Sequence, residues 1–177
     1  MYKSEAEKVT DIGTAFQGLQ GNTNTYGYGT YGYGSDDLTE EFTSFDEFKY
    51  FTGITSISDN AFRDCSRLNS ILIPDSVTTI GDYAFSGCKG LTSITIPNSV
   101  TTIGDYAFKG CSSLTSISIP LNVTSLGDEC FRNCIGLTTI SIPSNVTSLG
   151  DNCFSGCSGL KTSLSHLTFT KSSAPIV

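Results

Sequence analysis

From Ile57 onward the apolar residues return on a period of 23, too long for one helix face or one strand. Ile57, Ile80, Ile103, Leu126 and Leu149 form one column, and Phe62, Phe85, Phe108, Phe131 and Phe154 form a second. A third holds Cys65, Cys88, Cys111, Cys134 and Cys157, and a fourth Leu68, Leu91, Leu114, Leu137 and Leu160. Ile71, Ile94, Ile117 and Ile140 recur with Ile73, Ile96, Ile119 and Ile142, followed directly by Pro74, Pro97, Pro120 and Pro143. Val77, Val100, Val123 and Val146 complete the set. Within one period Ile94 and Ile96 alternate with Ser93 and Thr95, which predicts a strand with one buried face. Pro97 ends it, because proline has no N–H to give a ladder. Val100 and Ile103 then flank a second short extended stretch. Gly104 reads as a tight bend, and Asp105 as the cap of a single helical turn, Tyr106-Ala107-Phe108. One such turn alone leaves its apolar edge in water, whereas stacked turns bury it, so the pattern predicts a solenoid. At ~4.8 Å per rung, five clear turns make a rod of roughly 20–25 Å.

The repeating string Leu-x-x-Ile-x-Ile-Pro-x-x-Val-x-x-Ile-Gly-x-x-Ala-Phe-x-x-Cys resembles the BspA-type leucine-rich repeat, over residues 43–165 or so. That family occurs in surface proteins of host-associated bacteria, in some parasitic protists and in phage proteins. The resemblance implies a leucine-rich-repeat solenoid and, in some members, adhesion to host proteins or other cells. It carries over no catalytic residue, because every shared position is a core position.

The two ends depart from the period. Residues 1–20 predict a helix that serves as an N-terminal cap: Ser4-x-x-Glu7 fits a capping box, and Val9, Ile12, Phe16 and Leu19 form one stripe. The stripe either covers the open end of the solenoid or makes two heptads of a trimerising coiled coil. Residues 21–42 are a Gly/Tyr-rich linker or arm, with Tyr26, Tyr28, Tyr31 and Tyr33 each followed by glycine. The solenoid then spans 43–169. Its first turn, from Thr43-Ser44-Phe45 to Ile54-Thr55-Ser56-Ile57, reads as shortened and divergent, with Phe42, Phe45, Phe48 and Phe51 close together. In the last turn Ser163, Ser165 and His166 replace the expected Ile, Ile and Pro, as in a decaying cap, and 170–177 is a tail.

Composition narrows the function. The 177 residues are 38% hydrophobic, enough for a core, so wholesale disorder is excluded. Ten scattered Lys and Arg against 17 Asp and Glu give a net charge of −7, which argues against nucleic acid and against anionic membrane surfaces. No apolar run is long enough to span a bilayer, and Met1-Tyr2-Lys3-Ser4-Glu5 begins no apolar leader. That start suits a trimmed chain, or export without a cleaved leader, as for a virion protein. The Cys column reads as small buried hydrophobes. Cys130, Cys134, Cys153 and Cys157 lie as two i,i+4 pairs on adjacent turns, but zinc sites favour tighter spacing, so no metal is expected. Seven cysteines in regular array also argue against a disulfide framework. His166 stands without a nucleophile motif, and Asp59, Asp82, Asp105, Asp128 and Asp151 recur as caps rather than acid–base groups. No phosphate loop, dinucleotide fingerprint or calcium loop is present, so neither a cofactor nor an enzyme is expected.

What remains is surface. Ser93, Thr95, Ser116, Ser118, Thr139 and Ser141 form hydroxyl columns on the strand face, a platform for a protein or glycan. Thr78, Thr101, Thr124 and Thr147 make another column. Binding hot spots draw on Tyr, Trp and Arg, which points instead to Tyr83 and Tyr106 and to Tyr26, Tyr28, Tyr31 and Tyr33. Asn122-Val-Thr124 and Asn145-Val-Thr147 are glycosylation sequons. The expectation is a non-catalytic protein-binding or adhesion module at a cell surface or outside the cell, its partner a host surface protein or an assembly partner. The alternative is a structural component of a phage virion, fibre or other extracellular assembly, self-associating as a homo-oligomer through the Tyr-Gly arm. A remoter alternative is an ice-binding solenoid, its hydroxyl columns ordering water.

Overall fold

The computed structural model describes residues 43–160 and the backbone of Thr168–Phe169; the expected N-terminal helix, the Tyr-Gly arm and the tail lie outside them. Each turn contributes rungs to two parallel ladders. The first ladder contains β1 (Ser44–Phe45), β3 (Ser70–Ile71), β6 (Ser116–Ser118) and β8 (Thr139–Ser141). β1 pairs with β3 and β6 with β8, and the bridges Leu72–Thr95 and Ser93–Ser116 continue the stack between them. The second ladder contains β2 (Ser56–Ile57), β4 (Thr79–Ile80), β5 (Thr102–Ile103), β7 (Ser125–Leu126), β9 (Ser148–Leu149) and β10 (Thr168–Phe169). It runs β2–β4–β5 and β7–β9–β10, parallel throughout. Opposite residues in the regular turns are one period apart, as Ile57 with Ile80 and Ile80 with Ile103. The apolar column therefore becomes a ladder of side chains pointing inward, and the three-residue strands β6 and β8 alternate exposed, buried, exposed.

Both end turns change length. Phe45 pairs with Ile71, three residues beyond the regular spacing, so the first turn is longer than the rest, not shortened as the sequence suggested. The extra residues are taken up by a 3-10 helix, Asp46–Tyr50, which turns Phe48 into the core. At the other end Phe169 pairs with Leu149, three residues short of the regular spacing.

The third side of each turn corrects the sequence reading. The 3-10 helix is the only helix among the described residues, and Tyr106-Ala107-Phe108 is not a helical turn. Tyr83, Tyr106 and Glu129 have φ of 57°, 59° and 50°, and a left-handed residue stops a right-handed helix. Alternate amides instead leave the turn: Tyr83 N–H donates to the Asp105 carbonyl (2.9 Å), Phe85 to Ala107 (2.8 Å) and Gly87 to Lys109 (2.7 Å). The amides between them close local turns, as Ser86 N–H to the Tyr83 carbonyl (3.0 Å). The backbone is thus satisfied by stitching turn to turn, with no helix needed.

The aspartate column caps its neighbours rather than itself. The carboxylate Oδ1 of Asp59 accepts the Asp82 N–H, Asp82 accepts that of Asp105, and Asp105 that of Asp128, each at 2.8 Å. This explains the preceding glycine column. A Cβ on Gly104 would lie 2.3 Å from Asp82 Oδ1 and 2.9 Å from its backbone nitrogen, so glycine is required by close approach, not by a bend.

Inside, Phe62, Phe85, Phe108, Phe131 and Phe154 stack with centroids 5.2–5.5 Å apart and planes within 6°. Phe45, Phe48 and Phe51 close the N-terminal end of that stack, with Phe48 edge-on to Phe62 at 5.6 Å. Burying each phenylalanine is worth about 1.5–3 kcal/mol. Beside it, the thiols of Cys88, Cys111, Cys134 and Cys157 donate to the carbonyls of Phe62, Phe85, Phe108 and Phe131 at 3.0–3.2 Å. All seven cysteines are buried and none is in a disulfide. Burial pushes the Cys88 thiol well above its ordinary range, as it does that of Cys130, which also meets the Cys153 thiol.

Candidate recognition surfaces

The hydroxyl columns divide into two kinds. Thr78 and Thr101 Oγ1 donate to the carbonyls of Thr55 and Thr78 one turn back, at 3.0 and 3.2 Å. Thr92, Thr115 and Thr138 do the same to Asn69, Thr92 and Thr115 at 3.1–3.4 Å. These hydroxyls hold turns together. The sequon asparagines behave likewise: Asn122 Nδ2 donates to the Asn98 carbonyl (2.7 Å), and Asn145 Nδ2 to that of Val123 (2.8 Å). Ser93, Thr95, Ser116, Ser118, Thr139 and Ser141 stay outside this stitching and are exposed on the first ladder. They make a neutral, hydroxyl-bearing sheet face.

Next to that face runs a groove of about 540 Å³, along the proline column. Its floor is Ile96, Ile119, Pro97, Pro120 and Pro143; Thr95, Ser118 and Ser141 form one rim, and Asp75 and Asn98 line it too. Leu121 belongs to this groove and is 71% exposed. Sequence reading passed over it, although the signal was present: Leu121 stands in the column held by Asp75, Asn98 and Ser144.

A different chemistry occupies the turn edge. The left-handed position of successive turns holds Asn60, Tyr83, Tyr106, Glu129 and Asn152, so these residues fall in one column along the solenoid. Tyr83 and Tyr106 lie face to face, centroids 4.4 Å apart and planes 5° off parallel. Arg63 sits over the Tyr83 ring at 5.1 Å and Lys109 over the Tyr106 ring at 4.9 Å. Lys109 Nζ then reaches Glu129 at 2.9 Å, and Arg132 reaches the other Glu129 oxygen at 2.8 Å. Partial desolvation raises the Glu129 pKa, but the hydrogen bonds from Lys109 and Arg132 outweigh it and hold the carboxyl below its ordinary value. The Glu129 charge, with Tyr83 next, pushes the Tyr106 phenol up. Each ring–cation contact is worth about 0.5–1 kcal/mol and the ring pair about 0.5–1.5. The result is a pre-ordered aromatic ridge, half-buried and clamped at both ends.

Of the tyrosines expected to anchor a partner, the structure brings Tyr83 and Tyr106 together; Tyr26, Tyr28, Tyr31 and Tyr33 lie outside the described residues, as does His166. Among the described residues no group of His, Cys, Asp or Glu is arranged to hold a metal ion, and no helix is long and apolar enough to cross a membrane.

Parallel strands, a period of 23 and a laddered phenylalanine core define a leucine-rich-repeat protein, a fold generally used for binding rather than catalysis. The sequence profile of the BspA type leucine rich repeat region matches residues 39–161 in six copies, and the chain belongs to that family. A leucine-rich repeat protein from Bacteroides ovatus is 44% identical, with a TM-score of 0.60 over 62% of this chain and 28% of the other. The leucine-rich repeat protein of T. pallidum is 32% identical, with a TM-score of 0.59 over 60% of this chain and 50% of its own. A leucine rich cell surface protein from Faecalibacterium prausnitzii is 33% identical, with a TM-score of 0.53 over 63% and 36%. The chain thus spans half or less of the length of each. No curated protein matches the chain.

Proposed function

We propose that the chain is a non-catalytic recognition module of a cell-surface protein, and that it grips a protein partner through the Tyr83–Tyr106 ridge. The observation that carries this is the ridge itself. Tyr is enriched in binding hot spots and buries much area for little lost freedom, and here two stacked tyrosines are already held by Arg63 and Lys109. The surface role is supported by the family and by the surface-protein description of the Faecalibacterium neighbour. The four tyrosines of the Tyr-Gly arm offer a second contact of the same chemistry, with another copy or an assembly partner.

A second reading has its own support: the unengaged hydroxyl face beside the groove suits a neutral glycan. Beads coated with the protein and washed over epithelial cells separate the two. The expected result is adhesion that falls at least tenfold in Tyr83→Ser/Tyr106→Ser and survives in Thr95→Lys/Ser118→Lys. Adhesion lost only in the lysine pair moves the site to the strand face; no adhesion by the parent protein refutes the surface-recognition reading.

A further inference from the structure

Cys130 and Cys153 stand apart from the cysteine ladder. In the three preceding turns their column holds Ala61, Ala84 and Ala107, so a thiol is not needed to fill it. The ladder thiols of Cys111, Cys134 and Cys157 meet one another and also donate to phenylalanine carbonyls one turn back; Cys130 and Cys153 form a second, separate pair within hydrogen-bonding reach of each other. The backbones around the pair are locked in parallel register. Glu129 N–H donates to the Asp151 carbonyl (2.8 Å) and Phe131 N–H to that of Cys153 (2.9 Å), and the adjoining Phe131 and Phe154 rings stack at 5.5 Å. One rung of ~4.8 Å between α-carbons falls inside the span a disulfide bridges, about 4.4–6.8 Å.

We propose that Cys130 and Cys153 are a built-in cross-linking site, which closes to an inter-turn disulfide when the chain meets a small-molecule disulfide such as oxidised glutathione. One thiolate attacks a glutathione sulfur, forming a mixed disulfide and releasing one reduced glutathione. The second thiolate then attacks the protein sulfur of that mixed disulfide, releasing the other. Two protons leave the cysteines and two electrons end on the two glutathione thiols. Both thiols are buried, at 0% and 1% exposure, so the exchange takes place while the chain folds or while the turn is transiently open. The bond would tie together the turn that carries Glu129, which orders Lys109 on the tyrosine ridge, and the turn after it.

The full chain is refolded in oxidised glutathione, and separately in reduced glutathione, then denatured, alkylated and mapped by mass spectrometry. The expected product is one internal disulfide joining Cys130 to Cys153, with the other five cysteines alkylated, and a Tm about 5–10 °C above the reduced form. Cys153→Ala restores the residue that the column holds in other turns, so it should fold, form no disulfide and melt at the same temperature in both buffers. Seven free thiols in the oxidised parent protein overturn the proposal. So does a bond that joins ladder cysteines, such as Cys134 to Cys157.

Discussion

Two glycines in one turn are fixed by different forces, and substitution separates them. Gly104 has an ordinary φ but faces Asp82, whose carboxylate and backbone nitrogen leave no room for a Cβ. Gly110 has φ of 73°, and its nearest neighbours lie 3.9 Å from an added Cβ, so only the left-handed backbone resists a side chain. Gly110→Ala should therefore cost about 1–2 kcal/mol, the ordinary left-handed penalty. Gly104→Ala carries no left-handed penalty but should cost more, because its Cβ runs into the backbone of Gly81 and Asp82 and also breaks the Asp82–Asp105 bond, itself worth ~1–3 kcal/mol. Urea unfolding of the two variants checks the order; equal losses would mean that the aspartate ladder does not hold the turns.

At the scale of the element, the phenylalanine stack links every regular turn to the next through the core. Phe108 contacts a ring on either side, at 5.4 and 5.3 Å, and is fully buried. Phe108→Ala should destabilise by about 3–5 kcal/mol, read as a fall in the urea midpoint, and an unchanged midpoint would remove the stack from the core. The period, the strands and every apolar column were legible in the sequence, because stacking forces the same residue type to recur wherever it meets itself one turn on. The third side was misread for a physical reason. Asp followed by Tyr-Ala-Phe carries the signals of a capped helix, but nothing local reveals that its amides bond the next turn. The lengths of the end turns were equally hidden, since a 3-10 helix at Asp46–Tyr50 leaves no periodic trace. Tyr83 and Tyr106 stand out in the sequence as candidate anchors, and the structure stacks them. Their clamping by Arg63 and Lys109 does not show in the sequence, because it depends on which side chains share the edge of adjacent turns.

On the whole molecule, the buried thiols tie stability to alkaline pH. Burial holds the folded Cys88 and Cys130 thiols well above the ordinary value, whereas unfolded thiols ionise near pH 8.5. Their contribution is present in full below about pH 8.5 and is lost as pH rises toward the raised folded values, by up to about 1.4 kcal/mol per pH unit for each thiol. Cys88→Ala should show a shallower loss between pH 8.5 and 10.5 than the parent protein; identical slopes would show that Cys88 is not protected from ionisation. The account as a whole rests on turns stitched by their backbones into a rigid support for the surface ridge. Amide hydrogen exchange of the reduced native protein tests that most directly, at Tyr83, Phe85, Gly87, Tyr106 and Phe108, whose N–H groups donate to the next turn. The account predicts slow exchange at all five, at rates near those of the core strands and set by unfolding of several turns together. Exchange at the speed of free surface loops would contradict it.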